Sequence, residues 1–412
     1  MTEWREASLV SLGSVERGRS RHRPRNDPRL FGEKMPFFQT GDVKAATLHM
    51  TSAGQYYSDF GVAQSRVWEP GVTCITIAAN IAESAVLGRH GCFPDSVLGF
   101  TPAHQPEDAY FVKYLLDVHR ERLTTAARGT TQANLSLEKL LAHKFPVPEP
   151  ATRCRIAGVL RSLDELIENN RRRSWLLQEM ARAIYREWFV HFRYPGHEDS
   201  TLVPSPLGPI PEGWTCGTVQ DMVELVKTTV DPGSVDPATP AVGLEHIPRR
   251  HLTLDAWSTA EGLGSRKSVF AAGDILFGKI RPYFHKVSVA PLDGICSTDA
   301  IVLRPLDDHW GQAVMTVSSD DFVAHATQTS NGTKMPRADW KVIKEFPAAF
   351  PPAEVAQRFT VVARDALQAA KLLMFQSRGL ASTRDLLLPK LMTGQIDVSS
   401  LDLDAVTEGA AA

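Results

Sequence analysis

The chain has 412 residues, too many for one compact core, so two or three domains are expected. With 43% hydrophobic residues, 22% charged residues and a net charge of −2, its composition is that of an ordinary globular protein, and the charge neither favours nor excludes a nucleic-acid partner. The five cysteines, Cys74, Cys92, Cys154, Cys216 and Cys296, form no CxxC pair and no histidine cluster has metal-ligand spacing, which argues against a structural zinc site. An odd, scattered set fits free thiols in a reducing compartment. No apolar signal core opens the sequence and no apolar run reaches membrane-spanning length, so a cytoplasmic protein with no membrane partner is expected.

In chain order, the first half states a series of segments that the second half states again. "EWREASLVSLGSVERGR" near the start resembles "GWTCGTVQDMVELVKTT", each with a tryptophan, Trp4 or Trp214, then an apolar segment. "VWEPGVTCITIAANIAESAVLGRHGCFPDSVLGFTP" resembles "VFAAGDILFGKIRPYFHKVSVAPLDGICSTDAIVLRP", which pairs Gly71 with Gly273, Cys92 with Cys296, Asp95 with Asp299 and Pro102 with Pro305. Both runs are β-branched and punctuated by glycine, the texture of strands and turns. Gly129 and Gly332, 203 residues apart, open two Gly-Thr turns, each followed by an amphipathic segment, Phe-Pro and a further proline group. A period this long makes each copy a whole domain plus a connector.

After each copy comes a helix. From Ile156 the buried-type positions step by four and three: Ile156, Leu160, Leu163, Ile167, Asn170, Ser174, Leu177, Ala181, Ile184, Trp188. Moved on by 203 residues the series reads Phe359, Ala363, Ala366, Ala370, Leu373, Ser377, Leu380, Arg384, Leu387, Leu391. This is a heptad seam, richer in small residues in the second helix, and Arg384 is expected to weaken it there. Thr152 reads as the first N-cap, Pro195-Gly196 as the stop of that helix, and Pro389 as a kink or break near Leu388. The Pro- and Gly-rich stretch between the halves reads as a linker without helix or strand of its own. About 40 residues at roughly 1.5 Å each give a rod on the order of 60 Å. Two such rods can pair antiparallel, although each could instead pack only on its own domain.

The boundaries expected are domains at 1–150 and 213–350, helices at 151–194 and 351–396, a linker at 195–212 and a flexible tail at 397–412. The fold class is α+β: two similar mixed α/β domains separated by two long antiparallel helices in a coiled coil, with an approximate twofold relation. Two similar heads on a fixed spacer suit a bipartite DNA reader whose half-sites differ as the heads do. "ERGRSRHRPRNDPR" offers Arg17, Arg19, Arg21, Arg23, Arg25 and Arg29 for phosphate or guanine contacts, or as a solvated basic loop. "FGKIRPYFHK" offers Lys279, Arg281, Tyr283, His285 and Lys286, or a charged edge strand. The first Gly-Thr turn supplies Thr130, Thr131, Gln132 and Asn134 at a helix N-terminus, an anion site or a plain cap. The second turn supplies Thr333, Lys334 and Arg337. No phosphate loop, dinucleotide fingerprint or nucleophile elbow is present, and Asp95 and Asp299 read as turn residues.

These motifs in this order, with "ITIAANIAESAVLG", "GDILFGKIRPYFHK", "LRSLDELIENNRRR" and above all "LLLPKLMTGQI", resemble the specificity (S) subunits of type I restriction-modification systems over nearly the whole chain. The resemblance implies two target-recognition domains separated by conserved helices, no catalysis by this chain and no cofactor bound by it. It implies double-stranded DNA as ligand and two adenine-N6 methyltransferase (M) subunits as partners, with restriction (R) subunits joining through the methylase complex. S-adenosylmethionine, ATP and Mg are used by those partners. A stand-alone DNA-modifying or DNA-cleaving enzyme, or a purely structural scaffold, are the rival classes.

Overall fold

The computed structural model describes residues 4–127 and 135–398. The chain divides into two compact units, one of residues 1–169 with 379–412 and the other of 170–378, so both long helices contribute to each unit.

In the first unit the edge strand Trp4–Ala7 pairs antiparallel with Phe145–Pro148, closing the head just before its helix begins. The main sheet runs in the order Gly13–Arg17, Val97–Pro102, Thr73–Thr76, Ser84–Leu87, with His49–Met50 added parallel at the far edge. Cys74, Ile75, Ala85, Val86, Leu87, Leu98 and Phe100 are all buried, because both faces of this sheet are covered and its strands are near-continuously apolar. The helix Glu107–Ala127 lies against it, burying Phe111, Val112, Leu115 and Leu116.

The second unit repeats part of this plan and adds a five-stranded sheet in the order Thr229–Val230, Lys267–Phe270, Gly294–Ser297, Pro240–Val242, Ser258–Thr259. Thr215–Thr218 pairs antiparallel with Pro347–Phe350, and the matching sheet runs Val223–Leu225, Ala300–Pro305, Ile275–Gly278, Val287–Val289. Two shorter helices, Trp310–Val317 and Asp320–Gln328, stand where the first unit has one. The matched glycines make the same turn: Gly71 (φ +86°) donates to Leu87 and Gly273 (φ +92°) to Ala290, each just ahead of the strand that enters the sheet. That left-handed backbone suits glycine because it carries no Cβ.

The long helices span Pro150–Tyr185 and Ala353–Met392. In the first unit Ile156 and Leu160 share a core with Leu391 and Met392, and Asp164 bonds Arg384. In the second, Tyr185, Trp188 and Phe189 pack tilted or edge-on around Phe359, beside Ala181, Ala363 and Ala366. In each unit residue numbers fall along one helix as they rise along the other, so the helices are antiparallel. Along the seam, Ile156, Leu160, Ile167, Phe359, Leu373 and Leu391 are buried, and Leu163, Leu177, Ile184, Trp188, Leu380 and Leu387 are half-buried. The polar seam residues Asn170, Ser174 and Ser377 are buried too.

Several expectations need correction. The first helix starts at Pro150, a favoured first position, so Thr152 lies inside it and is no N-cap. It ends at Tyr185, a π-helical turn carries the chain to Val190, and Phe192 takes a positive φ, all ahead of Pro195-Gly196. The interdomain stretch carries structure of its own, a 3-10 turn at His197–Asp199 and a two-residue pairing of Leu202–Val203 with Ile210–Pro211. Pro389 does not end the second helix, which continues to Met392; in its last turn a proline forfeits a single backbone bond. Val398, placed in the tail, is buried in the first unit's core. Arg384 does not loosen the seam, because its charge is met by a buried carboxylate.

Candidate nucleic-acid interface

In the first unit the basic arm leaves the strand Gly13–Arg17 and is fastened by its backbone. Gly18 donates to Val97 and Arg19 to Phe93, both at 2.9 Å. A Cβ on Gly18 would lie 2.3 Å from the Pro94 carbonyl oxygen, so only glycine passes here. The amides of Arg21 and His22 both donate to Gln64 Oε1, at 2.6 and 2.9 Å, and Ser65 donates to the Arg19 carbonyl. A polar segment with no core of its own is thereby held in one path.

Its arginines divide into two groups. Arg23 donates to the carbonyls of Ser20 and His22. Arg25 makes two bonds to Asp95, at 2.9 and 3.0 Å. Arg29 clasps Asp27, which also meets His22 at 2.8 Å; the Arg29 guanidinium, then its amide, then His22 hold that carboxyl far below the usual range. Arg17, Arg19 and Arg21 are exposed, and their guanidiniums have no hydrogen bond or ion pair among the described residues. The turn holding Thr130, Thr131, Gln132 and Asn134 lies outside the described residues.

In the second unit the chain leaves the strand Ile275–Gly278 and makes a tight loop. Arg281 donates its amide to the Pro336 carbonyl at 2.7 Å and Ala338 donates to Lys279, so Lys279–Lys286 and the turn Asn331–Arg337 form one surface. Asp299 lies 4.0 Å from Lys279 and 3.9 Å from Arg337. It occupies the place of Asp95, in the turn before the matching sheet strand, and in each unit this acid holds candidate cations. Thr333, Lys334 and Arg337 are exposed, and Gly332 (φ +92°) turns the chain beneath them. The second Gly-Thr turn caps nothing: the short helix Trp340–Ile343 is capped by Asp339, whose side chain accepts from Lys341.

Tyr283 is exposed and packs edge-on to Phe284. Lys286 is less available than expected, for its ammonium donates to the Leu244 carbonyl; burial, then Arg249, lower its pKa. His285 is buried with Nε2 on the Ser318 carbonyl; burial lowers its pKa, against the pull of that carbonyl. Two functional candidates escaped the sequence. Arg249 lies over the Phe284 ring at 4.1 Å, and Arg250 pairs with Asp320 at 2.7 Å. In "HIPRRHL" they look like any solvated charges, and the partner ring is 35 residues away.

Among the described residues no cluster of His, Cys, Asp or Glu could hold a metal ion. No helix among the described residues is long and apolar enough to cross a membrane.

The fold has a counterpart among solved structures. Over 95% of this chain and 96% of the other, it superimposes on the crystal structure of the type I restriction-modification system S subunit from M. genitalium, with a TM-score of 0.58 at 13% identity. Residues 1–178 match the type I restriction modification DNA specificity domain. The EcoDI type I restriction enzyme specificity subunit of Escherichia coli is 25% identical over 267 residues, 59% of each chain. The MjaIX specificity subunit of Methanocaldococcus jannaschii is 26% identical over 125 residues, 29% of each. The chain thus spans less than two thirds of the length of the curated relatives it matches. Over part of its length the chain is thus similar to type I restriction-modification specificity subunits.

Proposed function

We propose that this chain is the DNA-reading subunit of a type I restriction-modification complex. Each head reads one half of an asymmetric, bipartite DNA target, and the long helices dock two methyltransferase subunits. Adenine methylation and restriction are the work of the methyltransferase and restriction subunits, which use S-adenosylmethionine, ATP and Mg. The chain itself is non-catalytic and acts in the cytoplasm.

One observation carries this reading. In both units an aspartate in the turn before the same sheet strand, Asp95 or Asp299, holds basic side chains of neighbouring loops. A repeated scaffold with differing basic loops supports two different half-sites, because phosphate contacts position a protein while base contacts specify the sequence.

The test is selection from a randomised duplex by the chain bound to its methyltransferase. Enrichment of two dissimilar specified blocks supports the reading. Enrichment of no motif leaves only a scaffold, and cleavage or methylation by the purified chain alone makes it an enzyme.

A further inference from the structure

Six non-glycine residues in the described chain have positive φ, and three of them meet in one place: Arg250 (+60°), Arg281 (+49°) and His285 (+52°). Side chains with a Cβ rarely adopt this backbone, and where they do the surroundings must over-determine it. Here they do. Arg250 donates its amide to the His285 carbonyl at 2.9 Å, His285 donates to Pro282, and Arg281 donates to Pro336. Arg249 and Lys286 form an antiparallel bridge, and the His285 ring is fixed to Ser318. Nothing in the sheet requires such a loop, since the strand Ile275–Gly278 is already complete at Gly278.

What the loop does achieve is a platform. Phe284 is set so that the Arg249 guanidinium lies 4.1 Å from its ring centre, with the Arg281 guanidinium at 6.0 Å and Tyr283 against its edge. Arg249 is exposed, and its side chain has no hydrogen bond or ion pair among the described residues. A guanidinium stacked on a ring keeps its N–H fork free while losing the freedom of a long side chain, so less entropy is lost when it binds. A fixed, unpaired fork matches the O6 and N7 acceptors of guanine in the major groove. The contrast is with Arg25, Arg29 and Arg250, whose forks are already spent on Asp95, Asp27 and Asp320.

We infer that Arg249 is a specificity-determining residue of the second head, reading a guanine in that head's half-site. Phe284 is its positioning residue. The inference rests on the DNA-reading function proposed above and adds the base and the side chain.

The experiment selects binding sites from randomised duplex with the methyltransferase-bound chain, as wild type and as Arg249→Ala, Arg249→Met and Phe284→Leu. Arg249→Met keeps an apolar stem over the ring should the shorter variant fold poorly. The wild type should require guanine at one position of the half-site that belongs to residues 213–350. Arg249→Ala and Arg249→Met should lose roughly 5- to 150-fold of the discrimination at that position and leave all others intact. Phe284→Leu should relax the same position in part, which a merely structural change would not confine to one base pair. An unchanged motif overturns the inference, as does a uniform loss of affinity across sequences with a flatter salt dependence, the signature of a phosphate contact. If the wild type itself selects no motif, the DNA-reading function fails; if it does and the variants select the same one, only this inference fails.

Discussion

Arg384 donates to Asp164 at 2.6 Å across the two long helices, and Tyr114 donates its hydroxyl to the other carboxylate oxygen at 2.7 Å. Asp164 is fully buried. Burial, reinforced by the Asp164 charge, pushes the Tyr114 hydroxyl well up; burial opposes the charge on Arg384, and Asp164 overcomes it. The positions related to this pair by the 203-residue period are Leu367 and Ala181, both buried in the second unit. One unit thus closes its helix seam with an ion pair where the other uses hydrocarbon. Asp164→Leu should cost about 1–3 kcal/mol by leaving the buried Tyr114 hydroxyl without its acceptor, while Arg384 keeps Asp385 and Lys113 keeps Asp117. Asp164→Leu with Arg384→Ala and Tyr114→Phe should recover most of that, since it also removes the two hydrogen-bond donors the carboxylate would leave behind. Urea unfolding of the full chain checks this, and equal losses in the single and triple variants contradict it.

Glu168 accepts the amides of Leu48 and His49 and meets the His49 ring at 2.9 Å, while His49 reaches Tyr110 on its other side. Burial alone would raise its pKa, but the His49 side chain and these amides win and lower it. A carboxylate with a depressed folded pKa contributes stability that is present above its unfolded pKa and lost as pH falls through the folded value. The advantage of wild type over Glu168→Gln should therefore be full at pH 7 and shrink as the pH drops below about 4.3, the ordinary glutamate value. Urea midpoints of both proteins from pH 7 downward measure it, and an advantage that does not change with pH rules it out.

In the first head's basic arm, the guanidiniums of Arg17, Arg19 and Arg21 are exposed and bond nothing among the described residues. Replacing all three with alanine should weaken DNA binding evenly across sequences and reduce the slope of log affinity against log salt by about one for each phosphate that is no longer neutralised. The melting temperature should hold, because these side chains bond nothing among the described residues. Arg25→Ala should instead release Asp95 and loosen the arm. Titrations of the methyltransferase-bound chain at several salt concentrations decide it: an unaltered slope removes the three arginines from the interface.

On the first helix Trp175, Leu176 and Met180 are exposed although apolar, in a segment whose other face is buried. Exposed apolar clusters of this kind mark interaction surfaces. Leu176→Glu with Met180→Glu should lower methyltransferase affinity at least about tenfold with little change in melting temperature. Binding measured by calorimetry checks the expectation, and undiminished affinity moves the docking surface elsewhere.

Much of this was legible in the chain. The four-three spacing from Ile156 located the seam because burial repeats with the helical period, and the recurrence of Gly71 at Gly273 and Asp95 at Asp299 marked matching turns. Pairing across the seam was hidden. Arg384 looked like a flaw because its partner is 220 residues away, and Asp164 and Gln178, both buried, sit beside the seam positions and follow no apolar pattern. The left-handed backbone of Arg281 and His285 was equally invisible: no glycine or asparagine announces it, and tertiary hydrogen bonds impose it. Helix ends slipped by several residues: the first helix closes through a π-helical turn ahead of Pro195-Gly196, and the second runs through Pro389 because a proline in the last turn forfeits little.

The most direct test of the bipartite reading is a map of methylated adenines in a host that lacks other methylases and expresses this chain with its methyltransferase, made once with the wild type and once with residues 205–350 exchanged for another reader's second domain. Two unlike specified blocks around a fixed unread gap, with only one block altered by the exchange, is the result expected. A single continuous motif, or an exchange that changes both blocks, contradicts it.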